Sequence, residues 1–454
     1  MNKIYREHWK SRIGFIWAAV GSAIGLGSIW RFPYVVGENG GAGFVILYFI
    51  CLIGVGFPVL IAEVVIGRKT QLSPVGAFGT LGRSSLWRRL GLLTVLTGFL
   101  VSVFYAVVAG WVLGYFFRAL LGQLTSFAMF QQARVDFIHF SSSPYYSLLC
   151  LIGFVCLAVL VLYTGVRKGV EMGNKIMMPL LLFVLIILAI KGLMMSGRNQ
   201  AVAFLFVPDW MKITPTAILT ALGQAFFSLS LGQGTMTTYG SYISKKDNLS
   251  GTCAPIALFG MCVSFLAGIA IFTIVFSYGV SPTAGESLMF QTLPVIFSAL
   301  PGGYFFCVLF FLLLLLAGLT SQISAMEPLI AYLIDIKKWK RHRAVLTTGF
   351  SVVLLAVPCA LSFGLFSHFT LFGKNFFDFL VFICLNILIP LGGLLSVVLV
   401  GWRWGIGRGI NHLKEGATHL FQRFPIIEIY FRWSIKYLAP ILIIVIMLDA
   451  IGLF

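Results

Sequence analysis

GSAIGLGSIWRFP, residues 21–33, places Gly21, Gly25 and Gly27 inside the first apolar stretch of membrane length and follows them with Arg31. A helix built only to cross a bilayer is not written this way. Each interior glycine costs about 1 kcal/mol against alanine, and hydrocarbon offers no water to backbone groups freed by a break. Irregular backbone at that depth is tolerated where it lines a cavity. Close helix packing through small residues is the plainer alternative.

Composition sets the class around this stretch. Of 454 residues, 59% are hydrophobic and 10% charged, which excludes a soluble domain. At about 20 residues per crossing, eleven spans are expected near residues 13–36, 42–67, 90–120, 146–164, 174–195, 213–243, 252–279, 302–334, 344–364, 376–401 and 432–453. The fold expected is an all-α integral membrane protein, residues 1–454 forming one transmembrane domain with no soluble linker.

A net charge of +18 invites a nucleic-acid partner, but its placement answers otherwise. With a cytoplasmic N-terminus, all but Arg31, Arg118, Arg134, Lys191, Arg198, Lys212 and Lys374 of the 32 Lys and Arg fall in the N-terminal tail or the loops after even-numbered spans. That is the positive-inside asymmetry. It predicts a multi-pass protein of the cell's inner (plasma) membrane, with the lipid bilayer as partner and Phe454 outside. The basic tail before span 1 is read as part of the mature chain, because the apolar stretch is too long for a signal peptide. The eight cysteines lie mostly within spans, form no C-x-x-C pair and read as small apolar residues.

A second interruption, FFSLSLGQGTMTTYGSY at residues 226–242, lies in the sixth span. Paired interrupted helices at matching positions of two halves point to a transporter built from inverted repeats around a midplane site. Five spans per repeat inverts the second half. The halves are then about 13–195 and 213–401, with 432–453 peripheral.

These residues resemble the neurotransmitter:sodium symporter family, whose bacterial members include the amino-acid transporter LeuT. The resemblance rests on Arg6-Glu7-His8-Trp9, the Gly21–Pro33 stretch, Glu38-Asn39-Gly40-Gly41, the Ser230–Gly234 break, Ala317-Gly318-Leu319-Thr320-Ser321 and Pro390-Leu391-Gly392-Gly393. It implies the LeuT fold: eleven transmembrane helices, a 5+5 inverted repeat, and helices 1 and 6 unwound at mid-membrane.

By that resemblance, one sodium ion is held by carbonyls of Gly21, Ile24 and Ala317 and hydroxyls of Thr320 and Ser321. Back-bonding within the helix is the ordinary alternative for those two hydroxyls. A second sodium site is weakened here. Asparagines usual in the family are replaced by Ser28 and Gly260, which leaves Ala23, Ser28, Ser228 and the substrate carboxylate, with water as the alternative replacement. The resemblance also implies a substrate carboxylate at Gly25, Leu26 and Gly27 with Tyr105, the half-helix N-terminus supplying the positive dipole end. The amine then faces Ala23, Phe227, Ser228 and Ser230, and the side chain faces Val101, Phe227, Ser230, Gln233 and Ala325. Monoamine carriers have aspartate at the position of Gly25, so amino acids fit better. Gln233 and Ala325 make the pocket larger and more polar than LeuT's, and Gln233 alternatively caps unwound backbone.

Arg31, Tyr105 and Phe227 resemble an outer gate, whose usual aspartate is replaced by Val381 with Asp378 one turn away. Arg6 and Asp335, with Trp9 and Tyr242, resemble the inner gate. Tyr48, Gln224, Ser228 and Ser264 resemble the chloride pocket of animal members, and chloride use is left open. Glu63 is read as a structural acid bonded to the broken helices.

The reading is a secondary active symporter that brings a neutral L-amino acid, aromatic or polar, inward with sodium by alternating access. One charge moving through about 100 mV supplies about 2.3 kcal/mol, enough for roughly fifty-fold accumulation. Proton coupling through Glu63 or Asp378 on the same scaffold is the alternative. A channel would need a continuous polar path or a selectivity ring, and a membrane enzyme would need clustered His, Cys or carboxylates. Neither pattern is present, so no enzymatic activity is expected.

Overall fold

A computed structural model describes residues 7–127, 129–244, 248–279, 289–450 and 452. Nine of its helices are long and apolar enough to cross a membrane, among the described residues: Ala42–Thr70, Ser85–Leu120, Pro144–Tyr163, Val166–Leu193, Gly251–Ser277, Gly303–Asp335, Arg341–Leu361, Phe376–Arg403 and Pro425–Ala450. They are spans 2 to 5 and 7 to 11 in chain order. Span 1 is a bent pair, Arg12–Ala23 and Gly27–Glu38, with 51° between its halves. Span 6 is helical over Pro215–Ser228 and Thr235–Gly240 with irregular backbone between.

Local chemistry fixes where the spans begin. Ser11, Ser84, Thr214 and Asn248 each accept a hydrogen bond from the backbone N–H three residues on, at 3.0, 3.3, 3.1 and 3.0 Å, satisfying a donor orphaned at the helix start. Pro215 follows Thr214 at the first helical position of span 6, where its missing N–H costs nothing.

The break in span 6 is written into its backbone. Ser230, Gly232 and Gly234 have φ of 52°, 74° and 73°, the left-handed region in which glycine is at home and a helix cannot continue. Absent side chains then let neighbours touch it. A Cβ on Gly232 would lie 1.9 Å from the Ile389 carbonyl oxygen, and one on Gly392 would lie 1.8 Å from that of Gly232. Span 10 therefore presses backbone to backbone on the break. Gly67 and Gly240 do the same between span 2 and the second half of span 6, where added Cβ atoms would meet Thr237 and Val64 carbonyl oxygens at 1.9 and 2.6 Å.

Around these contacts runs a continuous apolar core that includes Phe15, Phe44, Phe78, Phe154, Phe226 and Phe311. Large apolar side chains such as Ile176, Phe183 and Ile190 of span 5 point outward, as expected for a face turned to lipid tails. Shorter helices at Pro74–Gly82, Phe130–Ser142, Arg198–Phe206, Thr292–Ala299 and Ile406–Lys414 join the spans, with a small hairpin pairing Thr370–Leu371 to Lys374–Asn375.

Candidate transport site

The two interruptions face each other and are stitched together. Ser230 donates its hydroxyl to the Ser22 carbonyl at 2.8 Å, and Gln224 Nε2 donates to the Gly27 carbonyl at 2.8 Å. Span 8 joins the same knot, since Ser321 Oγ also donates to Ser22 O, at 3.3 Å. Ser22 and Ser324 hydroxyls bond at 2.8 Å, and Ser324 donates on to the Ser321 carbonyl at 2.8 Å. Ser22 and Ser324 are absent from the sequence reading. A serine on a helix ordinarily bonds its own backbone, so nothing local marks them.

Between these elements lies a tight pocket of about 20 Å³, lined by Gly25, Val101, Tyr105, Phe227, Gln233 and Ala325 among others. The predicted substrate residues Ala23, Gly27 and Ser230 also line it. At the break, the Leu26 N–H donates to Tyr105 Oη at 3.0 Å. A Cβ on Gly25 would come within 2.1 Å of Ser321 Oγ and 2.9 Å of Tyr105 Oη, and one on Gly27 within 2.6 Å of the Phe227 ring. Gln233 Oε1 is buried with no hydrogen-bond partner among the described residues.

Of the residues expected at the sodium sites, Thr320 Oγ1 donates to Ala317 O at 3.1 Å. That is the back-bond of an ordinary helix, yet it turns the hydroxyl's lone pairs outward, where a cation could use them. Ile24, just past the end of the first half-helix, has ψ of 76°, far from helical. At the weakened site, Ser28 Oγ donates to the Ala23 carbonyl at 3.0 Å, and Ser228 Oγ accepts from Gln224 at 3.1 Å. Gly260 is buried, and a Cβ added to it would make ordinary contact with Leu229 at 3.9 Å.

Phe227 is the lid. Its ring lines the tight pocket, a cavity of about 50 Å³ shared with Trp30, Phe104, Tyr105 and Val381, and a larger cavity of about 200 Å³ beside spans 10 and 11. Arg31 lines both outer cavities. Its guanidinium sits 5.6 Å from the Phe227 centroid and donates to Gln224 Oε1 at 2.6 Å. The expected pairing of Arg31 with Asp378 is not formed. Asp378 is exposed, accepts from Asn375 Nδ2 at 2.8 Å and gives its N–H to Asn375 Oδ1 at 2.8 Å, a cap on the start of span 10. The position read as replacing the usual acid, Val381, does line the cavity beside Arg31.

On the opposite side, Trp9 packs edge-on against Tyr239 and Tyr242, with centroids 5.3 and 5.8 Å apart, and donates Nε1–H to Tyr239 O at 3.1 Å. Asp335 Oδ2 accepts the Ser73 N–H at 2.6 Å. Arg6, its predicted partner, lies outside the described residues. Two acids missed by the sequence reading do more here. Glu327 is fully buried, takes both Arg341 guanidinium nitrogens at 3.0 Å and accepts the Tyr242 hydroxyl at 2.8 Å. Glu171 accepts from Lys10 N at 2.7 Å, Ser11 Oγ at 3.1 Å and Lys175 Nζ at 2.7 Å. Glu7 accepts from Val166 N at 2.7 Å, and Arg167 donates to the His8 carbonyl at 2.7 Å. The tail before span 1 is thus clasped to the start of span 5.

Glu63 Oε1 accepts the Gly232 N–H at 2.7 Å and the Ser396 hydroxyl at 3.4 Å, so it binds the span 6 break as expected of a structural acid. Tyr48 Oη faces the Ser228 and Ser264 hydroxyls without a bond of good geometry, and Ser264 Oγ also lacks a partner. Among the described residues, no cluster of three His, Cys, Asp or Glu could hold a metal by side chains alone.

Comparison with known proteins follows the same lines. The model of the sodium:neurotransmitter symporter family matches residues 6–133 and 138–454. A sodium-dependent transporter of Bacillus subtilis, YhdH, is 37% identical over 98% of this chain and 98% of its own length. A sodium-dependent transporter of Haemophilus influenzae is 35% identical over 99% of each. A crystal structure of MhsT in complex with L-phenylalanine superposes with a TM-score of 0.89 at 40% identity, covering 98% of this chain and 100% of that one.

Proposed function

This chain belongs to the sodium:neurotransmitter symporter family, one of membrane transporters and not of enzymes, and from that premise we propose that it imports a neutral L-amino acid by alternating access. Its fold is the LeuT fold shared with MhsT, and sodium is the ion coupled to transport in this family. The amino-acid reading is carried by the Leu26 N–H on Tyr105 Oη at 3.0 Å, beside a Gly25 that has no room for a side chain. A hydroxyl and main-chain N–H groups at a half-helix N-terminus suit an α-carboxylate. An aspartate at position 25, the residue of monoamine carriers, would run into Ser321 and Tyr105.

The buried, unpartnered Gln233 Oε1 and the small Ala325 favour an aromatic or polar side chain, in line with the L-phenylalanine of MhsT. Sodium is held by Gly21, Ile24, Ala317, Thr320 and Ser321. The lack of amide side chains at Ser28 and Gly260 supports a weak second site at Ala23, Ser28 and Ser228, and hence one strongly coupled ion. The tail lies in the cytoplasm and the end of span 11 outside, in the plasma membrane. The unsatisfied hydroxyls of Tyr48 and Ser264 favour a chloride ion beside Gln224 and Ser228, since a buried donor without a partner costs about 1–3 kcal/mol.

Uptake into proteoliposomes across a panel of amino acids, with sodium, chloride and pH varied separately, tests this. Saturable uptake of aromatic or polar neutral amino acids that requires an inward sodium gradient is expected. Undiminished uptake with potassium in place of sodium would remove the coupling, and indifference to gluconate for chloride would remove the anion.

A further inference from the structure

Asp449 is an acid written into an apolar helix. Residues 439–450 read APILIIVIMLDA, with Asp449 in the last turn of the helix. Nothing in the sequence motifs or the site described above uses it. It lines the largest cavity described, about 200 Å³, together with Asn386 of span 10, Thr220 of span 6 and Arg31 of span 1. Arg31 and Asp449 are the two charged groups on its wall.

Each lacks an opposite charge within 4 Å among the described residues. Arg31 rests on the neutral Gln224 oxygen at 2.6 Å and on the Phe227 face. Of the other acids, Glu38 interacts with Arg31 through its charge. Asp378 is taken by Asn375, and Glu38, exposed at the end of span 1, lines neither cavity that Arg31 lines. A cation and an anion facing each other across a pocket with low-dielectric walls attract strongly once water leaves.

We propose that Asp449 of span 11 is the carboxylate that captures Arg31 when the outer side closes, so that the peripheral helix completes the outer gate. In the arrangement seen here Arg31 is parked on Gln224 and the cavity is open. Closing transfers the guanidinium from Gln224 to Asp449, draws the outer half of span 1 toward span 11, and leaves Gln224 to the Gly27 carbonyl and Ser228. Asp449 is a positioning residue, acting on substrate through Arg31 and the Phe227 ring beneath it. This inference rests on the alternating-access reading.

The test uses the full chain in proteoliposomes, with Cys156 and Cys262 replaced by alanine and a reporter Leu385→Cys, a position that lines both outer cavities. Labelling by a membrane-impermeant maleimide is followed in potassium, where the outer side is closed, and in sodium, where it is open. Asp449→Asn is expected to speed labelling in potassium about tenfold, the ratio that about 1.4 kcal/mol of pairing sustains. Asp449→Glu should restore the parent rate. Arg31→Gln, made separately, should speed labelling equally, and the double variant no more than either single, the signature of one shared interaction.

Labelling that responds to sodium in the parent but is unchanged by Asp449→Asn overturns the pair. So does Asp449→Glu behaving like Asp449→Asn, which would show packing and not charge. So do Arg31→Gln and Asp449→Asn effects that add. Labelling indifferent to sodium in the parent, yet accelerated by Asp449→Asn with rescue by Asp449→Glu, would sink sodium coupling and leave the pair standing.

Discussion

At the scale of residues, the proposed ion site turns on two hydroxyls. Replacing both, as Thr320→Ala with Ser321→Ala, removes two side-chain oxygens and one bond each, to Ala317 and Ser22. The expected result is loss of sodium-stimulated uptake with a stability cost of about 0.5–1.5 kcal/mol per lost hydrogen bond, checked by uptake and thermal melting in detergent. Retained sodium stimulation would refute the site. Gly25→Ala tests the carboxylate seat, because its methyl lands 2.1 Å from Ser321 Oγ and 2.9 Å from Tyr105 Oη. At least a tenfold rise in substrate Kd is expected, measured by equilibrium binding, while Gly223→Ala, which has open space, should bind normally. Thr320, Ser321 and Gly25 were legible because a motif brackets them. Ser22 and Ser324 were not, because a hydroxyl's choice between its own helix and a neighbour's is made by packing. Asp378 misled for a related reason: proximity along the chain to the expected position said nothing of Asn375, which holds it.

Among elements, the limits of the spans follow from apolar length and caps, and those expectations fall within a few residues of the helices observed, apart from earlier starts in spans 3, 5 and 11. The clasp between the tail and span 5 was invisible, since Glu171 and Ser11 are 160 residues apart and no local pattern joins them. On the proposed alternating-access reading, opening the inner side breaks that clasp. Glu171→Gln removes the Lys175 pair and weakens the bonds from Lys10 and Ser11, each charge-assisted bond being worth about 1.5–3 kcal/mol. A shift of about tenfold toward the inward-open form is expected, read as faster cytoplasmic labelling of a cysteine placed near Trp9. Unchanged labelling would make the clasp incidental.

The short helix Ile406–Lys414 docks by similar means. His412 is 4% exposed, meets Glu415 Oε2 at 2.8 Å, and its carbonyl takes Arg68 Nη1 at 3.2 Å. Burial pushes the His412 imidazole below its ordinary value, with Arg68 and Lys69 adding to the effect and Glu415 opposing it. The unfolded chain therefore binds its proton more readily, so stability rises with pH across this window. It should be fully present above about 6.5 and fall as acidification passes that ordinary value toward the lower folded one. His412→Asn is expected to flatten the melting temperature between pH 7 and 5, and an unchanged slope would assign the acid sensitivity elsewhere.

For the molecule as a whole, the proposed inverted halves and the charge asymmetry would set direction. With one sodium per cycle, collapsing a potential of about 100 mV should cut steady-state accumulation roughly fifty-fold, measured with an ionophore at fixed sodium gradient. A smaller drop would mean compensating charge movement. Class and the two breaks were legible from composition, apolar length and glycine placement. The surroundings of Arg31 were only partly legible: Phe227 was read, but Gln224 and the groups of spans 10 and 11 that share its cavity come from distant segments that only the packed bundle brings together.

The single ring of Phe227 borders three chambers. A valve shared in this way cannot admit cargo to one compartment without altering the other two, so whatever loosens the ring should produce slippage, with ions running downhill unaccompanied, before it abolishes passage. On the proposed mechanism, fidelity of coupling would hang on the fit of one benzyl group.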